Sequence, residues 1–578
     1  AQALLPQAAR SSQPRSRALK IPHPSPCPPP PPRLSADMCK AVDAVVCGFA
    51  GAPNRTSSTR ASSRSSSSSS RCRPDPDLLE AQCRVEKRVG RIPAEGRYHR
   101  LPRDITDDYS LEGKPLGSGC SGTVYGAVCK RTGTLCAVKS LRLQGVEERR
   151  KQDLIGEVEA CLTMDHPHVA RLTEVYESDA MVHIVMERMT GGELFNRIRE
   201  RRVFAEVDAA DAAYQMLLAI SYIHNEGVVH RDLKLENFLY DKEGSNFLKL
   251  IDLGFSKFFQ KNNPEKMVES IGTPTYVAPE VLARSYMCGS CDMWSFGVIV
   301  FTLLGGSMPF GGTDREIATK IRQGSYIMRP SAWDCVSHVG ADFVKRLLVV
   351  RPSERMTAGE ALAHPWIAGR NADLAVDVAG AEARFASSLL QFARLPRFQQ
   401  AGLQMMAWSL SLEERRGLSD LFLDLDRSGT GVLRLADFGE LLRKRRSSEV
   451  DSEQVLATLS NLDADGDGEI HYSDYLAAIL AGEVDSHTEA LKLAFHRFDA
   501  DNSGFVTCDG LAQVLGSTVS RREAQRIFHE VNADHDGKMT MDEFSAYMKI
   551  TEHGVEPQAQ DGANQPVILG AVGDCWWI

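Results

Sequence analysis

His230-Arg231-Asp232-Leu233-Lys234-Leu235-Glu236-Asn237, followed fifteen residues on by Asp252-Leu253-Gly254, is the stretch on which the reading of the whole chain turns. One short loop offers an aspartate, then a lysine two residues on, then an asparagine three further. A second aspartate arrives soon after. Phosphoryl transfer from a nucleotide needs such a set: a base at the incoming hydroxyl, a cation on the moving phosphate, and metal ligands for the remaining phosphates. Asp232 suits the base and Lys234 the cation. Asn237 and Asp252 suit Mg²⁺, which favours oxygen donors.

Upstream, Leu116-Gly117-Ser118-Gly119-Cys120-Ser121-Gly122-Thr123-Val124 is a GxGxxGxV run, whose glycines let the backbone approach phosphates. The same glycine spacing opens dinucleotide folds, so alone it is weak. A β-type run follows it instead of a helix, ending in Cys136-Ala137-Val138-Lys139. Lys139 can neutralise phosphate charge if a carboxylate orients it, and Glu157, ahead of Asp165-His166-Pro167, is the candidate. Ala278-Pro279-Glu280 closes the segment after Asp252.

In this order the pieces resemble a protein kinase catalytic domain over residues 110–367. Asp232-Leu233-Lys234 with Asn237, and Gly272-Thr273-Pro274-Thr275-Tyr276, resemble its serine/threonine branch. The resemblance implies a bilobal α+β fold. It implies ATP contacts from Leu116, Gly117, Gly119, Gly122, Val124, Ala137, Lys139, Glu157 and Asp252. Met186 would be the gatekeeper, Glu187 to Met189 the adenine hinge, and Arg355 the partner of Glu280. Glu193 and Glu236 match positions that meet ribose or a basic residue upstream of the target Ser or Thr. Leu253 replaces the usual phenylalanine. Glu269 stands three residues before Gly272, where many kinases carry a phosphothreonine, so a permanent carboxylate is expected to pair with Arg231 without phosphorylation.

Farther on, one unit recurs. Asp426, Asp463, Asp499 and Asn532 each open a 12-residue segment, at spacings of 37, 36 and 33 residues. Calcium takes six to eight oxygens, and an EF-hand loop supplies them from positions 1, 3, 5, 7, 9 and 12, with glycine at 6. Loop 463–474 fits with Asp463, Asp465, Asp467, the carbonyl of Glu469, and Asp474. Loop 532–543 fits with Asn532, Asp534, Asp536, the carbonyl of Lys538, and Glu543. Loop 426–437 is weaker, with Asp426, Ser428, Thr430 and Asp437, and with Arg434 at position 9. Loop 499–510 has Asp499, Asp501 and Ser503, but Gly510 at position 12.

A kinase followed by four EF-hands resembles the plant- and protist-type calcium-dependent protein kinases. That resemblance implies an all-α calmodulin-like domain over 411–550 and an autoinhibitory junction over 371–408. It also implies a calcium-activated serine/threonine kinase using ATP, Mg²⁺ and Ca²⁺ on protein substrates with upstream basic residues. Phe385, Leu389, Phe392 and Leu395 form an apolar stripe beside Arg384, Arg394 and Arg397, a pattern suited to an EF-hand groove. Pro396 should kink or end that helix. The rival reading is a calcium-dependent scaffold with a dead kinase fold. Lys139, Asp232 and Asp252, the residues such folds usually lose, are all present.

Charge and composition set the frame. The 578 residues carry a net charge of −9, with 43% hydrophobic and 25% charged side chains, ordinary for globular domains. Residues 1–100 hold 17 basic and 7 acidic side chains, a net of +10; residues 411–550 hold 15 and 27, a net of −12. The mild acidity argues against nucleic-acid binding. Residues 1–105, with proline run Pro28–Pro32 and serine run Ser65–Ser70, read as disordered. Residues 551–578 read as a flexible tail. The fourteen cysteines show no disulfide or zinc framework; Cys288 and Cys291 form one isolated CxxC. No apolar run reaches the roughly 18 residues of a membrane span. A cytoplasmic setting is expected. The basic tail, with Cys39 and Cys47 as candidate acylation sites, offers a route to peripheral membrane association.

Overall fold

The computed structural model describes residues 75–89, 94–119, 122–201, 204–259, 266–269, 271–286, 289–371, 378–436, 468–499, 502–515, 520–532 and 534–549. Most of the expected N-terminal tail, the C-terminal tail, Cys39, Cys47 and Cys288 lie outside them, as do Asp437, Asp463, Asp465, Asp467 and Asp501.

A six-stranded sheet builds the smaller lobe of the catalytic unit: β1 (Tyr98–Arg100), β2 (Tyr109–Gly119), β3 (Gly122–Cys129), β4 (Leu135–Arg142), β5 (Leu172–Glu177) and β6 (Met181–Glu187). Its order is β1-β5-β6-β4-β3-β2, antiparallel except for the β1–β5 pair. Register puts Gly117 opposite Val124, Val124 opposite Lys139, and Lys139 opposite Ile184. Glycine-rich turn and lysine thus share one row across four strands. At Gly122, φ is +138° and a Cβ would lie 2.9 Å from the Ser140 carbonyl oxygen, so a side chain has no room there.

Part of the N-terminal expectation is overturned. Residues 75–105 were expected to be disordered, yet Pro76–Val89 forms helix α1 and Tyr98–Arg100 forms β1. α1 buries Leu78, Ala81 and Val85 against Leu154, Ile155, Val158 and Leu162 of α2 (Glu148–Thr163). Burying a Leu or Val side chain contributes roughly 1.5–3 kcal/mol, whereas an isolated helix of this length is marginal in water. Docking therefore orders α1. Asp75 and Asp77 both pair with Lys151 at 2.8 Å, and Arg84 pairs with Glu159 at 2.8 Å.

The larger lobe is built on α3 (Glu206–Asn225) and α4 (Ser290–Gly305), both nearly enclosed. The apolar run Phe296–Leu304 is a core helix, and among the described residues no helix is long and apolar enough to cross a membrane.

C-terminal to the catalytic unit come α5 (Val378–Arg394), α6 (Arg397–Ser409), α7 (Leu412–Leu425), α8 (Tyr472–Leu480), α9 (Thr488–Phe498), α10 (Cys508–Leu515), α11 (Arg521–Val531) and α12 (Met541–Met548). Pro396 caps the start of α6 and so ends the preceding helix. Phe385, Leu389 and Phe392 of α5 are buried in the same core as Phe422, Tyr475 and Leu476, and Leu395 packs at its edge. Phe398 of α6 packs edge-on against Phe498 and Phe544. The junction stripe thus fills the helical module, with Arg384, Arg394 and Arg397 exposed.

This module docks on the catalytic unit through polar and close-packed contacts. Arg415 pairs with Glu187 at 2.6 Å, Arg416 with Asp241 at 2.6 Å, and the Ser473 N–H donates to Asp165 at 2.6 Å. Gly431, at φ +82°, lies so close to Tyr222 and His166 that a Cβ would fall 2.4 Å from the tyrosine ring. Gly468 has a similar φ of +75° but open space around it. In chelator, Gly468→Ala should therefore cost only left-handed strain, about 1–3 kcal/mol. Gly431→Ala should add overpacking of similar size and lower the melting temperature further. Equal melting shifts for the two variants would show that Gly431 does not contact the catalytic unit in solution.

Candidate active site and calcium loops

β4 carries Lys139 into the cleft between the lobes, where it is 5% exposed. Its ammonium donates to Glu157 of α2 and, at 2.9 Å, to Asp252. Burial disfavours the cation, but the two carboxylates outweigh it and hold the Lys139 pKa above its ordinary value. Asp252 is half-buried, which alone would raise its pKa, but Lys139 holds it below the usual range. The Gly254 N–H also donates to Asp252, at 3.1 Å.

Asp232 lies across the cleft and is 4% exposed. Lys234 donates to its Oδ2 at 2.8 Å, while the Thr273 N–H and hydroxyl donate to its Oδ1, both at 2.8 Å. Asn237 donates Nδ2 to the Asp232 carbonyl at 2.9 Å, which turns its amide oxygen the other way. With Asp252, that oxygen forms the hard, oxygen-only donor set that Mg²⁺ prefers. The loop is strained at Arg231, with φ +71°. Buried Asp292 of α4 holds it by accepting the His230 and Arg231 N–H groups, each at 2.9 Å. Sequence reasoning missed Asp292, whose place in an apolar helix gave no sign of this role.

The remaining expected residues are distributed as follows. Ala137 pairs with Met186 in the β4–β6 register and is buried; Val124, Met186 and Met189 are half-buried, and Leu116 is 49% exposed. The side chain of Glu187, in the expected hinge segment, is taken up by three partners. It accepts from Lys249 at 2.6 Å, the Arg171 N–H at 2.8 Å and Arg415 at 2.6 Å. Glu236 has a buried carboxylate oxygen without a hydrogen-bond partner, and burial raises the pKa of both Glu236 and Glu193. Arg355 grips Glu280 in a two-pronged pair at 2.6 and 3.0 Å. Leu253 is buried in the large-lobe core. Glu269 lies among Arg231 at 3.7 Å, Lys257 at 3.7 Å and Arg149 at 3.9 Å.

In the C-terminal module, Leu433–Arg434 pairs antiparallel with Glu469–Ile470, and Val506 bridges Met539. Each pairing joins the eighth residues of two neighbouring loops. Asp426 accepts from the N–H groups of Thr430 and Gly431, and Asp499 from those of Ser503 and Gly504. Ser428 donates its hydroxyl to Asp426 at 2.9 Å. In loop 532–543, Asp534 and Asp536 accept backbone N–H groups, and Glu543 caps Thr540. Asn532 is 1% exposed, and its Oδ1 has no hydrogen-bond partner. A buried, unused amide oxygen at the first position is what a cation ligand would look like before the ion arrives. Asp474 accepts from Gln404 of α6 at 2.8 Å, a contact no sequence signal announced.

Residues 110–367 match the protein kinase domain family, and residues 415–480 and 488–549 each match the EF-hand domain pair. The chain is 32% identical over 460 residues to calcium-dependent protein kinase 3 of Plasmodium berghei, covering 77% of this chain and 81% of that one. It is 35% identical over 452 residues to calcium-dependent protein kinase 10 of Arabidopsis thaliana, covering 77% and 82%. It is 34% identical over 449 residues to calcium-dependent protein kinase 4 of Plasmodium falciparum, covering 75% and 84%. Relatives of one kind thus span catalytic unit and EF-hand pairs together, and the chain belongs to the calcium-dependent protein kinases: it is a calcium-activated serine/threonine kinase working with ATP, Mg²⁺ and Ca²⁺.

Proposed function

We propose that Asp232 accepts the proton of a substrate serine or threonine hydroxyl as it attacks the γ-phosphate. Lys234, tied to Asp232, balances charge on the transferred group. Lys139, oriented by Glu157, holds the nucleotide phosphates beneath Gly117, Gly119 and Gly122. Leu116, Val124, Ala137, Met186 and Met189 enclose the base. Asn237 and Asp252 would hold Mg²⁺, which supplies charge neutralisation at the phosphates when bound. The observation that carries this reading is the buried Lys139 bridging Glu157 and Asp252 while Asp232 stands fixed opposite. It favours a working site over a scaffold.

Regulation is read from the junction. Four EF-hand loops, strongest at 463–474 and 532–543, would bind calcium and open grooves that capture Phe385, Leu389, Phe392 and Phe398. Burial of those side chains inside the module supports capture as the active arrangement, with release toward the catalytic cleft as the inhibited one. A calcium titration of peptide phosphorylation tests both halves. Asp232→Asn should lose about 100- to 10,000-fold in kcat at every calcium level. Asp463→Ala with Glu543→Gln should keep the chelator rate but lose calcium stimulation. Wild-type stimulation in that double variant would refute calcium control through these loops.

Glu193 and Glu236 are assigned to a basic residue upstream of the target. Because burial disfavours their ionised forms, they take up protons at a higher pH than an exposed glutamate. KM for a peptide with upstream arginine should therefore climb as pH falls from neutrality, while that of an alanine counterpart stays level. Parallel curves would contradict the assignment.

Glu269 is assigned the place of an activating phosphate. Phosphatase treatment should leave activity unchanged, and Glu269→Ala should reduce kcat by up to about tenfold, as expected for partly exposed ion pairs. Activity that needs phosphorylation and ignores Glu269→Ala would overturn this.

A further inference from the structure

Trp408, at the end of the junction helix α6, is clamped between two guanidinium groups. Arg97 lies 3.6 Å from its ring centroid and Arg171 lies 3.8 Å away. The indole is 4% exposed and Arg97 is fully buried. Arg97 belongs to the segment between α1 and β1, and its Nη2 donates at 2.8 Å to the Leu162 carbonyl in the last turn of α2. Its Nη1 donates to the Leu172 carbonyl at 3.4 Å, and Arg171 donates to the Ala407 carbonyl at 2.8 Å. One guanidinium therefore touches the calcium module on its face and the Glu157 helix at its edge. At the other side of that helix, α1 holds Lys151 and Glu159, six residues before and two after Glu157.

We infer that residues 75–89 and 94–100 form a brace that couples docking of the calcium module to the orientation of Glu157, with Arg97 as the positioning residue. Seating Trp408 completes a stack over the Arg97 plane, and a desolvated cation on tryptophan is among the stronger contacts of its class. The stack fixes Arg97, Arg97 fixes the C-terminal turn of α2, and α1 keeps the helix from rotating. Without Trp408 in place, Arg97 loses the aromatic face over its plane and keeps Arg171 as a like-charged neighbour. The α2 turn is then expected to loosen, and Glu157 with it. Catalysis falls although no catalytic residue has changed.

The inference rests on the reading of Lys139 and Glu157 as the phosphate-orienting pair. The experiment uses the full chain, with kcat and peptide KM measured in saturating calcium and in chelator. Arg97→Gln and Trp408→Leu should each lower calcium-stimulated kcat about tenfold, leaving peptide KM and the chelator rate unchanged. Trp408→Phe, which keeps an aromatic face, should retain most of the stimulation. Arg97→Gln combined with Trp408→Leu should lose no more than either alone, because one contact is removed twice. Undiminished stimulation in Arg97→Gln, or losses that multiply in the double variant, would overturn the brace. Should Arg97→Gln not fold, Arg84→Glu at the partly exposed α1–α2 contact takes its place: a lowered calcium-stimulated kcat supports the brace and an unchanged one overturns it. Glu157→Gln separates the two readings. Full activity there sinks the phosphate-orienting pair itself, whereas activity lost there but kept in Arg97→Gln sinks the brace alone.

Discussion

A single buried ammonium sets the terms for the catalytic unit. Lys139 sits on a central strand, Glu157 on a helix outside the sheet, and Asp252 on a loop of the opposite lobe. Taking a charge out of water is costly, and leaving it without a partner costs several kcal/mol more. The three groups are therefore stable only when strand, helix and loop are all in place. The row from Gly117 to Ile184 carries the strand, while Asp292 holds Arg231 and Arg355 grips Glu280 in the larger lobe. Sheet residues Leu141, Val175 and Ile184 share a core with α2, and α1 and Arg97 add contacts along the helix and at its C-terminal turn.

The module downstream shows how little net charge says about contact. Residues 411–550 sum to −12, yet their contacts with the catalytic unit run largely through arginines. Arg415 meets Glu187, Arg416 meets Asp241, and Arg497 approaches Glu174 at 3.8 Å. Acidic side chains occupy the loop positions, while Arg415, Arg416 and Arg497 sit on the docking face. The two populations do different jobs in one small domain, and a sum over the sequence averages them away.

The chemistry was legible because it sits in short runs. Asp232, Lys234 and Asn237 lie within one turn of chain, and the loop residues of the EF-hands recur at fixed offsets. The local spacing carries the function, so reading it needs no fold. What the sequence hid depends on contacts between distant segments. The α1 pattern of Leu78, Ala81 and Val85 is too short to stand out beside proline and serine runs, and it is ordered by α2 rather than by its own propensity. Glu187 lies in the segment expected to form the hinge, and its side chain accepts from the main-chain N–H of residue 171 and from the cations at positions 249 and 415. Trp408 marked only the end of a linker until Arg97 and Arg171 closed on it.

Glu187 joins three bodies in one carboxylate: the smaller lobe through Arg171, the larger through Lys249, and the calcium module through Arg415. Its pKa is held well below the usual range, so the knot stays charged throughout physiological conditions. The consequence is thermodynamic bookkeeping between two ligands that never meet. If seating the module stiffens the hinge and tightens nucleotide binding by some factor, then a bound nucleotide must tighten calcium binding by that same factor. A cell rich in ATP would then meet a kinase already tuned toward a lower calcium threshold, with energy status read through that one carboxylate.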